Sequence, residues 1–251
     1  MSARRNGSSA DSLPATTEGK PKRSARALAS IIERSSRIQG PAAAAYVERL
    51  RRADPDAGPA TVVAKLEKRY VAAVTASGAA VGSAAVLPGL GTLSALSAAA
   101  GETAVFLEAT AFFALAIASV YGVSTDERER RRALVLSVLV GDDSKQAMTE
   151  LIGGGRTSGA WLSEGVASLP MPALSQLNSR LLKRAVRRFT LRRSALLFGK
   201  LLPVGIGALI GAIGNRQAGK KIVRNARNAF GTPPAKWPVT LHLLPTISDV
   251  G

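Results

Sequence analysis

From Tyr70 to Gly101 the chain runs for 32 residues without a charged side chain, and its centre reads Leu87-Pro88-Gly89-Leu90-Gly91. Only Glu102 and Glu108 carry charge in the continuation to Val123. A stretch this long and apolar has to be buried in protein or laid against lipid, with its backbone groups bonded internally. Its Ala, Gly and Ser content suits closely packed helices. Tyr70–Val123 is therefore expected to form an antiparallel helical hairpin, bent at Pro88, Gly89 and Gly91. Gly78 and Gly82 leave a flat strip on the first arm where the second can approach, and Thr92 is a candidate N-cap for that second arm.

Composition extends this to the whole chain. Hydrophobic residues make up 46% but aromatic residues only 4%, and strand-like β-branched runs are almost absent. The expected fold is all-α, a multi-helix bundle with glycine- and alanine-rich apolar hairpins. At 251 residues the chain can bury one good core. Residues 1–23, rich in Ser, Gly, Pro and charge and without an apolar stretch, read as a disordered basic tail rather than a secretory signal. A single helical domain is expected over 24–231, followed by an extended tail over 232–251.

Within the domain, a short amphipathic segment stops at Gly40 and a helix follows over Ala42–Arg52. The Asp54–Gly58 run is a turn by composition, and Pro59 opens the helix that enters the hairpin. Ser124 to Glu127 matches a capping box. A helix over Arg128–Val140 should then end at Gly141, and Asp142 and Asp143 should start another that runs to Ile152. Arg156–Met171 reads as irregular. A long basic helix begins near Pro172, with Leu174, Leu177, Leu181, Ala185 and Phe189 on one face and Arg180, Lys183, Arg184 and Arg187 on the other. Leu201–Asn215 is a second uncharged run, in which Pro203, Gly207 and Gly211 serve bending and close packing, and Arg216–Phe230 is a basic amphipathic helix.

The net charge is +17, and from Gly165 onward fourteen Lys or Arg face a single acid, Asp249. A field this one-sided attracts polyanions. Base-stacking aromatics are scarce and no zinc-finger or RNA-recognition signature occurs, which disfavours nucleic acid. Neighbouring membrane-like segments favour anionic lipid, with Arg180, Lys183, Arg184, Arg187, Lys220, Lys221 and Arg224 as the binding residues. The apolar runs are too short, too broken or too weakly hydrophobic for conventional spanning helices, so a hairpin protein, soluble or membrane-associated, is preferred.

Little supports catalysis. With no cysteine and one histidine, His242, there is no thiol chemistry and no His- or Cys-rich metal site. The glycines at 205, 207 and 211 superficially match a dinucleotide fingerprint, but no strand precedes them and no ribose-binding acid follows at the right distance, so no cofactor is assigned. Glu102 and Glu108 lie six positions apart and point about 120° from one another on a helix, so they do not form a paired site. They are expected to be buried polar anchors, with an ion or proton site as the functional alternative.

The succession Leu87–Gly91, Glu102 and Glu108 within FLEATAFFALA, Tyr121-Gly122, Glu129–Asp142, and finally Pro203–Asn215 with the Ala226–Phe230 helix resembles the EcsC family over roughly Val62–Pro238. The Ala- and Arg-rich composition is that of an actinobacterial member. The resemblance implies a bacterial protein with no assigned biochemical activity and no established catalytic residues, associated with the inner face of the cell membrane. By family analogy alone it also implies a link to an ABC transporter. The rival reading is a soluble helical enzyme or small-molecule-binding protein with Glu102 or Glu108 lining a pocket.

Overall fold

The structure, a computed structural model, describes residues 30–31, 40–84, 92–152, 161–196 and 206–238. Within these the chain is helical and contains no strand, so the protein is an all-α multi-helix bundle. Helix α1 covers residues 40–53 and is followed by the expected turn, closed by the Ala57 N–H to Asp54 O at 3.1 Å. Lys65 reaches back to Asp54 Oδ2 at 2.6 Å and ties the turn to α2, Pro59–Ala84. Helix α3 spans Thr92–Val120. The two arms of the hairpin are joined by the buried Tyr70 hydroxyl, 2.8 Å from Thr110 Oγ1, and by stacking of Tyr70 on Phe113 with ring centroids 4.6 Å apart. The bend at Pro88, Gly89 and Gly91 lies outside the described residues.

Helix α4, Arg128–Val140, is the axis of the bundle: all eight residues from Ala133 to Val140 are buried. Helices α3, α7 (Met171–Leu196) and α8 (Ile206–Phe230) pack around it, with α5 (Asp142–Ile152) and α6 (Trp161–Ser168) at its C-terminal end. Gly141 ends α4 with φ +74° and ψ −134°, a conformation suited to glycine. A Cβ there would also stand 2.6 Å from the Asn225 side chain, whose Nδ2 donates to Val138 O at 2.9 Å. The turn and the α4–α8 contact thus require the same missing side chain. Leu174, Leu177, Leu181 and Ala185 form the buried face of α7 as their spacing predicts, whereas Phe189's surroundings lie outside the described side chains.

Three local expectations are corrected. The capping box does not form: Glu127 takes the N-cap position without a side-chain bond and pairs with Arg130 at 3.1 Å. Ser124 instead turns onto Asp126, donating to Oδ2 at 2.9 Å and accepting from its N–H at 3.3 Å. The Arg131 guanidinium takes the carbonyls of Thr125 and Asp126, which delays the helix start. Second, the stretch read as irregular contains α6, a helix of eight residues with Trp161, Leu162 and Val166 buried. It is too short, with Gly165 inside it, to show a helical period. Third, the chain after Gly231 (φ +77°) docks on the body as far as Pro238. Trp237 Nε1 donates to Ala57 O at 3.2 Å, Arg51 lies 4.4 Å over the Trp237 ring, and the Tyr121 hydroxyl donates to Gly231 O at 2.7 Å. His242 lies outside the described residues.

Candidate functional site

The most extensive helix pairing is α2 against α8, and three contacts show that it is antiparallel. At one end Arg227 holds Glu67 with two hydrogen bonds, one from Nε to Oε1 at 2.7 Å. Further along, Gly219 of α8 fits against Val74, and at the other end Gly78 abuts α8 so closely that a Cβ would stand 2.5 Å from Gly211 O and 2.7 Å from Asn215 Nδ2. This corrects the expected role of Gly78. Its close approach serves the α2–α8 seam, not the hairpin, because the hairpin arms meet through larger side chains such as Tyr70 and Phe113. Gly211 is the facing element of that seam. The surroundings of Gly82 and Gly207, and the position of Pro203, lie outside the described residues.

Because α2 and α8 run antiparallel, the two uncharged sequence runs come together at one end of the bundle. The C-terminal half of α2, the N-terminal half of α3 and the N-terminal half of α8 build this tip. Large apolar side chains stay in water there: Leu209 is 64% exposed, Ile213 54% and Val105 49%. On a helix of 3.6 residues per turn, Leu209, Ile213, Arg216, Lys220 and Arg224 fall within about 80° of one another. All five are exposed. They form one continuous stripe on α8, apolar toward the tip and basic below it. Arg216 and Lys220 stand about 4.5 and 10.5 Å along the axis from Ile213 at 1.5 Å per residue. Lys221 is half-buried and already engaged by a neighbour, so it stands apart from the stripe.

Glu102 sits in the same tip. It is half-buried and faces Asn215 of α8, and burial pushes its carboxyl pKa above the ordinary carboxylate range, with Asn215 drawing it partly back. Asn215 Nδ2 is itself buried and completes no full hydrogen bond, so its approach to Glu102 falls short of ideal geometry. Glu108 is exposed, so it is not a buried anchor, and Glu102 is only half-buried. The 120° between them puts Glu102 toward α8 and Glu108 toward water.

The basic face of α7 is placed differently from expectation. Helix α7 packs on α4 and α5, whereas α8 packs chiefly on α2, and the two basic helices make little or no contact. Nor is the α7 face uncompensated: Glu150 of α5 lies 3.4 Å from Arg180 and 3.2 Å from Arg184, and Arg184 also donates to Asp143 O. Lys183 and Arg187 remain exposed. Sequence reasoning missed this because the compensating acid comes from a different helix.

Gly101–Val120 is long and apolar enough to cross a bilayer, with mean hydropathy 1.9, yet 56% of it is buried by the other helices. Its buried part is the core of the bundle. A separate cavity of about 280 Å³ opens near the C-terminal end of α8, lined by Gly141, Asp142, Lys145, Trp161, Asn225, Asn228 and Ala229. Neither Glu102 nor Glu108 lines it. No protein-family model, curated protein or solved structure gives a significant match to this chain.

Proposed function

We propose that this protein is a non-enzymatic, peripheral membrane-docking protein that binds anionic lipid through the tip of α8, α3 and α2. The observation that carries this reading is the α8 stripe: exposed Leu209 and Ile213, then exposed Arg216, Lys220 and Arg224 on the same face. The apolar end matches the acyl boundary and the basic part the headgroup layer above it. Three cations near an anionic leaflet contribute on the order of 1 kcal/mol each. Seating the two exposed apolar side chains, Leu209 and Ile213, adds about 1–2 kcal/mol apiece. The two terms are comparable, which describes a reversible, salt-sensitive attachment. Lys183 and Arg187 of α7, a helix that packs on α4 and α5, stand outside this stripe. The order of motifs resembling EcsC supports the same reading and a place at the inner face of the cell membrane. The family-derived transporter link has no contact of its own in this chain.

The test is co-sedimentation with phosphatidylcholine vesicles with and without phosphatidylglycerol. Wild type should bind the anionic vesicles and be released by salt, since exposed charges are screened beyond about 8 Å at physiological ionic strength. Arg216→Glu with Lys220→Glu and Arg224→Glu should abolish binding while the helical far-UV signal is kept. Reversal of Arg180, Lys183, Arg184 and Arg187 should weaken it far less. Equal binding to neutral and anionic vesicles, or none to either, would overturn the reading. The rival, a small-molecule-binding protein, has the Trp161 cavity as its supporting observation and predicts that the triple reversal changes nothing at the membrane.

A further inference from the structure

The cavity of about 280 Å³ near the C-terminal end of α8 is lined by polar groups that the fold leaves open. Two of them are buried. Asn225 is 6% exposed and donates from Nδ2 to Val138 O at 2.9 Å, which fixes the orientation of its amide. Its Oδ1 accepts no hydrogen bond among the described residues. Gly141 presses on the same amide, since a Cβ there would stand 2.6 Å from it. Trp161 is 3% exposed, and its indole N–H meets no acceptor among the described residues. Buried polar groups are ordinarily bonded, so an acceptor and a donor left open around one cavity point to a partner from outside the fold. The exposed part of the lining adds a charge of each sign. Asp142 and Lys145 lie three positions apart on α5, a spacing at which opposite charges readily meet, yet neither is in an ion pair among the described residues. Asp142 receives only a long contact from Asn228 Nδ2, at 3.5 Å.

We propose that this cavity binds a small zwitterion of the α-amino-acid class, its ammonium held by Asp142 and Asn225 Oδ1 and its carboxylate by Lys145 and the Trp161 N–H. Simpler ligands fit the lining less well. A bare anion meets the Asp142 carboxylate and a bare cation the Lys145 ammonium, whereas a molecule carrying both charges is complementary to both. The volume lies just below the usual range for small-molecule sites, about 300–1,000 Å³, which suits a single amino acid and excludes a nucleotide. The Trp161 ring and Ala229 supply the apolar part of the lining, so the ligand's side chain is aliphatic. Asn225 stands about 24 Å along α8 from Leu209 at 1.5 Å per residue, and the site does not rest on the membrane reading.

The experiment is titration of the full chain with L-alanine and L-leucine, followed by tryptophan fluorescence and by isothermal calorimetry. L-Leucine should saturate with a Kd of about 1 mM or tighter and change the emission. Trp237→Phe should keep that change, because Trp237 is not among the cavity's lining residues. 3-Methylbutylamine and 4-methylpentanoate, each with one of leucine's two charges, should bind at least about tenfold more weakly. Asp142→Asn and Lys145→Gln replace exposed side chains, and each should weaken L-leucine binding by at least about tenfold. Asp142→Asn should at the same time bind 4-methylpentanoate more tightly than wild type does, an exchange that a merely structural role would not produce. No response to either amino acid at about 10 mM, well above that Kd, overturns the site. Amine or acid binding as tightly as L-leucine overturns the zwitterion, and undiminished L-leucine binding by both variants overturns its placement in this cavity.

Discussion

A half-buried carboxylate beside an incompletely bonded amide lowers the stability of the fold, and Glu102 makes that effect measurable without any membrane. Its folded-state pKa is raised. The folded state is therefore most favoured below the unfolded carboxyl value of about 4.3, and that advantage is lost as pH rises through the higher folded value. Glu102→Gln should accordingly raise the melting temperature at neutral pH and leave it nearly unchanged near pH 4, whereas Glu108→Gln should be neutral at both. Thermal melts at the two pH values check this, and a Glu102→Gln variant less stable than wild type at neutral pH would show that the carboxylate is stabilising. The sequence marked both acids as exceptional, being the only charges in a long apolar interval. It could not rank them, because the group that faces Glu102 belongs to α8, over a hundred residues further on.

At the scale of helices, the pairing of α2 with α8 governs where the functional surface lies. Gly78 lets α2 approach α8 until the carbonyl oxygen of Gly211 occupies the space of a side chain. Gly78→Leu should overpack this seam against Gly211 and Asn215 and cost roughly 1–3 kcal/mol of stability. It should also weaken vesicle binding, since it displaces the stripe from the tip. Chemical denaturation with parallel sedimentation would separate the two effects, and an unchanged midpoint would contradict the seam. Helix existence was largely legible: the starts at Pro59 and Asp142, the stop at Gly141 and the apolar face of α7 all follow from local residue chemistry. Helix partnership was not. Glycines spaced four apart indicate that something approaches closely, but both α3 and α8 carry small-residue runs, and only the three-dimensional arrangement selects between them. The same limit hid Glu150 from Arg180 and Arg184.

For the molecule as a whole, the separation of charge along the long axis was half-visible in the chain. The uncharged runs and the basic segments are plain from the residue order, and the antiparallel pairing of α2 with α8 turns that order into a polarity with an apolar end. Opposite the tip, residues 231–238 close over the first turns of the bundle, with Trp237 held between Arg51 and Ala57. Trp161 lines the cavity beside Asn225 and Asn228, in the same half of α8. The chain has two tryptophans, and both lie far from the tip: Phe230, at that end, is about 30 Å along α8 from Leu209 at 1.5 Å per residue. The native fluorophores therefore stand outside the region where lipid would be met. Emission of the wild type should stay constant when vesicles are added, even at saturation, while a Leu209→Trp variant should brighten and shift to the blue. The unmodified protein carries its own optical reference, blind to docking and sensitive to whatever enters the cavity.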